Sequence, residues 1–307
     1  MEILKKIIAV VFVSCSLAAG SIDENVFVAP IHTMENLGLS LVKPGERVED
    51  LSDGDREFRP IAVNALLAIY QSMNRNVGNR DCCLPRSSYR IPSNLWQSLH
   101  PNEDHLIPVF DCSLTNALDE VRNASSPCVI DCTIAGGVAR YALLESLIPE
   151  IKDNVIKRSF INRKQKQILE EQNCVVSETR VAEGFLMAMF HHSGVVEGVE
   201  NIKPGDFVYI KGHPDYVEKH PLGMSRGENL FLVGYNAAGL KMYIGYGDFF
   251  KDGPKTAQDI QRNLTQQYLL GQNPENFKEA YEKIRKMRPL SLSLDIEQIQ
   301  ERRRRRV

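Results

Sequence analysis

The chain has 307 residues, with 37 basic and 39 acidic side chains and a formal charge of -2 at pH 7. This length supports one large domain or two small ones, and the nearly balanced charge gives no general attraction to nucleic acid. The 7 cysteines are too few for a disulfide scaffold, and no Cys-x-x-Cys or Cys/His cluster has zinc spacing. We therefore expect no nucleic-acid partner and no metal site.

Residues 1–20 have the organisation of a secretory signal peptide. Lys5 and Lys6 form a charged start, Ile7 to Val13 form a short apolar segment, and Leu17 to Ser21 supply small residues for cleavage. The apolar segment is too short to cross a bilayer, and no other stretch is long enough. The expectation is an exported protein, periplasmic or secreted, without a transmembrane segment after cleavage.

Residues 21–125 predict a helical and loop-rich N-terminal region. Apolar residues from Phe58 to Met73 recur with helical periodicity, and a second helix is predicted from Phe110 to Val121. The intervening stretch, 74–104, is rich in Asn, Arg, Ser and Pro and predicts irregular structure.

Residues 126–290 predict a second region in which helices flank an antiparallel sheet. A helix opens near Cys132 and ends at about Ile148; further elements are predicted at Cys174–Val176 (strand), Glu183–Phe190 (helix), Phe207–Ile210, Glu228–Gly234 and Leu240–Ile244 (strands), and Thr256–Leu270 and Pro274–Met287 (helices). The predicted class is α+β. Residues 291–307, with the arginine run from Arg302 to Arg306, predict a solvated charged tail.

Cys132 is the candidate nucleophile. It lies at the predicted start of a helix, after Asp131 and before Thr133. Unpaired N–H groups and the positive end of the helix dipole favour an anion there, and such a setting lowers a thiol pKa. The alternative is a buried cysteine that packs as a small hydrophobe.

A cysteine-tipped helix, followed by an antiparallel sheet that opens with Pro204-Gly205-Asp206, is the arrangement of papain-like and NlpC/P60-like thiol enzymes. In the NlpC/P60-like chains the base is a histidine at the start of the next strand, and here Glu228 has that place.

From about residue 127 to about 270 the chain closely resembles one family: the small, calcium-independent protein-glutamine gamma-glutamyltransferases (transglutaminases) of spore-forming bacilli. Several motifs in order carry the resemblance, and the Arg-Gly-Glu-Asn that precedes a strand is the most specific of them. They are Asp131-Cys132-Thr133, Pro204 to Lys211, Pro214-Asp215, Arg226 to Gly234, Tyr243 to Gly247 and Gln267 to Leu270.

The resemblance implies Cys132 as nucleophile and Glu228 as its base, without a metal or cofactor. The family has a glutamate where this chain has Asp131, which implies a shared base role with shorter reach, and a histidine where this chain has Tyr246. Arg226, Asn229 and Tyr246 are expected to contact substrate. The implied partners are proteins that present glutamine and lysine.

The implied reaction sets a physical requirement on Glu228. A free glutamate, with a pKa of about 4.3, is a poor base for a thiol of about 8.5. Burial must therefore raise the glutamate pKa by roughly three units, at a cost of about 4 kcal/mol. We expect a covered, apolar tunnel over the thiol, with an oxyanion hole made by backbone N–H groups near Cys132.

Two other functions stay open. A cysteine peptidase or amidase of the NlpC/P60 kind would use His213 or His220 as base. A secreted binding protein of the same fold would have lost the chemistry, and the missing family histidine at Tyr246 favours that possibility. Glu228 as a solvated strand-edge residue and Asp131 as an ordinary helix cap are the corresponding structural alternatives.

Overall fold

The computed structural model describes residues 32–75, 95–98, 106–108, 113–123, 130, 132–148, 196–221, 225–270 and 274–304. Its helices are α1 (Asp53–Arg75), α2 (Leu114–Arg122), α3 (Cys132–Leu147), α4 (Tyr216–Lys219), α5 (Ala257–Tyr268), α6 (Phe277–Lys286) and α7 (Ile296–Arg304). Its strands are β1 (Trp96–Ser98), β2 (Leu106–Pro108), β3 (Val196–Glu197), β4 (Phe207–Lys211), β5 (Gly227–Tyr235), β6 (Lys241–Gly245), β7 (Lys255–Thr256) and β8 (Leu290–Leu292). The predicted signal peptide, the strand at 174–176 and the helix at 183–190 lie outside the described residues.

The main sheet has six strands in the order β3-β8-β4-β5-β6-β7, and each neighbouring pair is antiparallel. Four consecutive residues of β5, from Leu230 to Val233, are fully buried, so both faces of the sheet are covered there. A mixed helix and antiparallel-strand architecture confirms the predicted α+β class. The strands predicted from the alternating segments are β4, β5 and β6, each within one residue or two of its expected limits.

Helix α1 is the central helix of the described core. Its apolar stripe, with Phe58, Leu66 and Ile69 buried, packs against α3 and against β5. The main core cluster runs from Met34 to Ile299 and includes residues of both the predicted N-terminal region and the predicted catalytic region. None of the described helices combines the length and the apolar character needed to cross a bilayer.

Capping residues set where two of the predicted helices begin. The second predicted helix begins at Leu114 rather than at Phe110, because the Ser113 hydroxyl accepts a hydrogen bond from the N–H of Asn116. Helix α5 begins as expected, with Thr256 and Asp259 forming a capping box.

Residues 291–304 belong to the fold, whereas the sequence predicted a charged tail at 291–307. Leu292 belongs to β8 inside the sheet, and Leu294 and Ile299 are buried as the chain continues into α7. Arg303 donates from Nε to the Leu147 carbonyl oxygen at 2.8 Å and lies 4.7 Å over the Phe58 ring. The apolar spacing before the arginine run is therefore core-forming, and Arg303 covers the core with its aliphatic stem.

A buried charge network joins the Pro204-Gly205-Asp206 turn to α1. Gly205 has φ +97°, a conformation that L side chains rarely adopt. Arg59 donates to Asp55, to the Pro204 carbonyl oxygen at 2.6 Å and to Asp206 at 3.0 Å, and its guanidinium is buried with both carboxylates. The motif that opens the sheet is thereby fixed to the helix beneath it.

The pKa of Asp55 makes the stability of this network depend on pH. Burial favours the neutral carboxyl, but hydrogen bonds from Lys203 and Arg59 overcome that effect and lower the Asp55 pKa from 3.8 to about 2. The resulting stabilisation is complete above about pH 4 and is lost as pH falls to about 2, a loss of about 2 kcal/mol. We expect urea unfolding to lose this component between about pH 5 and about pH 2. An Asp55→Asn variant, already weaker at pH 5, should lose less; an equal loss in both proteins contradicts the assignment.

Candidate active site

Cys132 is the first residue of α3, as the sequence predicts. It is half-buried and lies outside any disulfide in the part of the chain that the structure describes. The rest of α3 is largely buried, including Ile134, Val138 and Tyr141, and anchors the helix in the core. The first backbone N–H groups of a helix have no intrahelical partner, so the thiol lies at a natural anion-binding end.

Asn229 contacts the sulfur. Its Nδ2 donates to Cys132 Sγ at 3.3 Å and lies 3.4 Å from Thr133 Oγ1. In the sheet register Asn229 is directly opposite Tyr209, so these two side chains share the face of the sheet that meets the start of α3. An amide donor on the sulfur stabilises a thiolate more than a thiol.

Glu228 is a part-buried carboxylic acid next to Asn229 on β5. Burial raises its pKa from 4.5 to about 8. A role as general base would require such a shift, because an ordinary glutamate is too weak a base for a thiol.

Strand alternation directs Glu228 and Asn229 away from β5 in different directions. The pKa values of two tyrosines nevertheless respond to negative charge on both Cys132 and Glu228. The pKa of Tyr209 is raised, first by burial and then by negative charge on Cys132 and on Glu228. The pKa of Tyr70 is also raised by burial, with Cys132 and Glu228 contributing in the same direction. Cys132 and Glu228 therefore share two electrostatic neighbours, one on the sheet and one on α1.

Gly227 explains how Tyr209 fits beside this pair. A Cβ at Gly227 would come within 2.5 Å of the Tyr209 hydroxyl and ring and within 2.5 Å of the Ile210 carbonyl oxygen. Only glycine therefore lets the ring lie across the first residue of β5. The glycine of Arg-Gly-Glu-Asn has a steric role next to the candidate base.

Asn74 holds the end of β6. It is buried one helical turn after Tyr70, donates to the Gly245 carbonyl oxygen at 2.9 Å and accepts from the Gly247 N–H at 2.9 Å. Tyr246 lies between these two bonded residues and packs at the edge of the core. Helix α1 thus carries Tyr70, whose pKa responds to charge on Cys132, and Asn74, which fixes the turn at Tyr246.

The predicted site residues have different outcomes. The structure brings Cys132 and Asn229 into contact and gives Glu228 the same phenol neighbours as the thiol. Arg226 is exposed. Its positive charge partly offsets the rise in the Tyr209 pKa, so Arg226 also lies near Tyr209. Asp131 lies outside the described residues, and its role stays a prediction, as does the covered tunnel.

The two histidines of the competing Cys–His scheme have other partners. His213 is buried, stacks on Tyr268 with ring centroids 3.7 Å apart, and accepts the Asp215 N–H at Nδ1. His220 Nε2 bonds the Tyr268 carbonyl oxygen at 2.9 Å. Both belong to an aromatic cluster around Tyr216 and Tyr268, separate from the core that contains α3. This arrangement disfavours either as the thiol's base.

Tyr70 and Asn74 were not among the predicted site residues. They are four residues apart on the otherwise apolar stripe of α1, a spacing that directs both side chains to one face. A polar pair at that spacing on a core-facing stripe is the signal that would have found them. Such a pair indicates a helix whose buried face contacts polar groups as well as the apolar core.

Among the described residues, no group of three or more His, Cys, Asp or Glu side chains is arranged to hold a metal ion. Comparison with known proteins gives no assignment: the sequence matches no protein-family model, and searches of curated proteins and of solved structures returned no significant match.

Proposed function

We propose that this chain is an exported cysteine acyltransferase of the transglutaminase kind, with a papain-like or NlpC/P60-like arrangement of helix and sheet. It would join the glutamine side chain of one protein to a lysine of another. The observation that carries the proposal is the contact of Asn229 with the thiol at the tip of α3, together with two tyrosines, Tyr70 and Tyr209, whose pKa values respond to charge on both Cys132 and Glu228. A helix-tip thiol accepts an amide hydrogen bond from Asn229, and the neighbouring Glu228 has a pKa of about 8.

The matched acid and base make the first step feasible. A carboxylate with a pKa of about 8 can accept a proton from a cysteine thiol at little cost, whereas an ordinary glutamate facing a free thiol of about 8.5 would oppose that transfer by roughly 6 kcal/mol. Such matching is what general-base catalysis near neutral pH requires.

The reaction then proceeds by acyl transfer. Glu228 takes the proton of Cys132, and the thiolate attacks the γ-carboxamide carbon of glutamine. The C–S bond forms, the C–N bond breaks, and ammonia leaves with the proton that Glu228 held. A lysine amine attacks the thioester, the C–S bond breaks, and the amine's proton restores the resting pair.

The surrounding groups would stabilise this sequence. Asn229 would hold the sulfur, and backbone N–H groups at the start of α3 would form the oxyanion hole. Transfer to an amine in preference to water requires a site from which water is largely excluded. The raised pKa of Glu228, caused by burial, supports such a site.

Incorporation of a fluorescent primary amine into a glutamine-rich protein tests the proposal. The purified chain should incorporate the amine, and Cys132→Ala should reduce incorporation to the uncatalysed background because the thioester cannot form. Release of ammonia or peptide without amine incorporation would assign the chain to the hydrolases instead. A Cys132 that no thiol reagent labels under reducing conditions would exclude both reactions.

A further inference from the structure

We infer that Tyr70 is a positioning residue of the thiol site, a buried hydroxyl ready to donate a hydrogen bond when negative charge forms at Cys132. The inference rests on the proposed function only in taking Cys132 as the reactive thiol. It assigns a role to a helix outside the motifs that carry the resemblance.

The packing places Tyr70 on the thiol's side of the sheet. Its ring centroid is 6.2 Å from that of Phe231. Phe231 follows Asn229 by two residues on β5, so both side chains leave the same face of the strand. Asn229 in turn donates to Cys132 Sγ at 3.3 Å. Helix α1 also packs against α3, and both helices contact β5, so Tyr70 lies on the side of β5 where Asn229 meets the thiol.

The Tyr70 hydroxyl is unusual within the described part of the chain. The side chain is completely buried, and its oxygen has no hydrogen-bond partner there. Buried hydroxyls are nearly always bonded, because an unmet donor loses its hydration without compensation. A phenylalanine would make the same ring contacts without that cost. The oxygen is therefore not explained by packing.

Charge supplies the explanation. Burial raises the pKa of Tyr70, negative charge on Cys132 and Glu228 raises it further, and Arg140 acts in the opposite direction. The hydroxyl consequently stays protonated, and remains a donor, at any pH where the thiol ionises. A donor that is unpaired in the resting state and paired in the charged state stabilises only the charged state, which is how preorganised dipoles assist a reaction.

The test compares Tyr70→Phe with Tyr243→Phe. Tyr243 is a second buried tyrosine, on β6, whose pKa is raised by burial and by Tyr235, without a contribution from Cys132. Iodoacetamide alkylation is followed at the Cys132 peptide by mass spectrometry from about pH 6 to about pH 10. We expect Tyr70→Phe to slow alkylation about tenfold at neutral pH and to raise the midpoint by about one pH unit. Tyr243→Phe should stay within about twofold of the parent.

Urea unfolding of the same samples separates a local effect from a damaged core. Tyr70→Phe should be as stable as the parent or more stable, since the unmet hydroxyl is gone. An unchanged alkylation profile in Tyr70→Phe overturns the inference, and so does an equal shift in both variants.

The alkylation experiment does not depend on amine transfer. If the parent incorporates no amine while Tyr70→Phe still shifts the alkylation midpoint, the proposed function fails and the inference stands. If the parent incorporates amine and the midpoint does not move, the inference alone fails.

Discussion

Glu228→Gln is expected to lower amine incorporation by about 10²–10⁴-fold, the usual contribution of a general base. Glutamine keeps the size and shape of the side chain but cannot accept the thiol proton. The residual activity should resemble that of Cys132→Ala more than that of the parent. A variant with the full parental rate would remove Glu228 from the mechanism.

The same substitution should stabilise the fold above neutral pH. Glu228 has a folded pKa of about 8 and an unfolded value near 4.5, so the folded state binds the extra proton between these limits. The free energy of unfolding therefore falls as pH rises from about 4.5 to about 8, by about 5 kcal/mol at most. The cost is absent below about pH 4.5 and complete above about pH 8.

Urea unfolding at about pH 4 and about pH 9 measures this effect. Glu228→Gln should match the parent at the lower pH and exceed its stability at the higher one, since the amide never has to be charged in the core. Glu218→Gln, at an exposed position on α4, is the matched control and should leave the pH dependence unchanged. Equal pH dependence in the parent and in Glu228→Gln would mean that the carboxyl is not desolvated.

Arg59→Met should cost about 3–5 kcal/mol of stability, because it leaves the buried Asp206 without its cation and Asp55 with Lys203 alone. Asp55 and Asp206 both accept hydrogen bonds from Arg59, and all three side chains are at least nine-tenths buried. Methionine preserves much of the volume, so the loss would report the charge and its hydrogen bonds. Urea unfolding at neutral pH provides the measurement.

Arg47→Met is the matched control for this experiment. Arg47 pairs with Asp50 on the surface, where both side chains are more than half exposed. Exposed pairs contribute at most about 1 kcal/mol, so the control should be nearly neutral. Similar losses in the two variants would show that the α1 network has no special energetic role.

The elements with strong local patterns could be predicted from the sequence. The stripe of α1, the helix that begins at Cys132 and the strands β4, β5 and β6 each carry their own periodicity, so their existence did not depend on distant contacts. Strand β8 could not be predicted this way. It has three residues, and its partners Phe207 to Tyr209 come from a remote part of the chain.

The candidate site likewise has residues that could be predicted from local motifs and residues that could not. Cys132, Glu228 and Asn229 lie in recognisable motifs, but the contact between Asn229 and the sulfur depends on how α3 crosses the sheet. Tyr70 and Asn74 have no motif at all. Their relevance arises only when α1 packs over β5 and β6, which is a tertiary effect.

The position of β8 has a consequence for biosynthesis. Leu290–Leu292 lies between β3 and β4, so β4 cannot receive its second neighbour until residue 292 has left the ribosome. Until then the nascent chain presents an open row of amide and carbonyl groups along β4, a template for pairing with other chains. Completion of the sheet must therefore follow synthesis of all the motifs that carry the family resemblance, the last of which ends at Leu270.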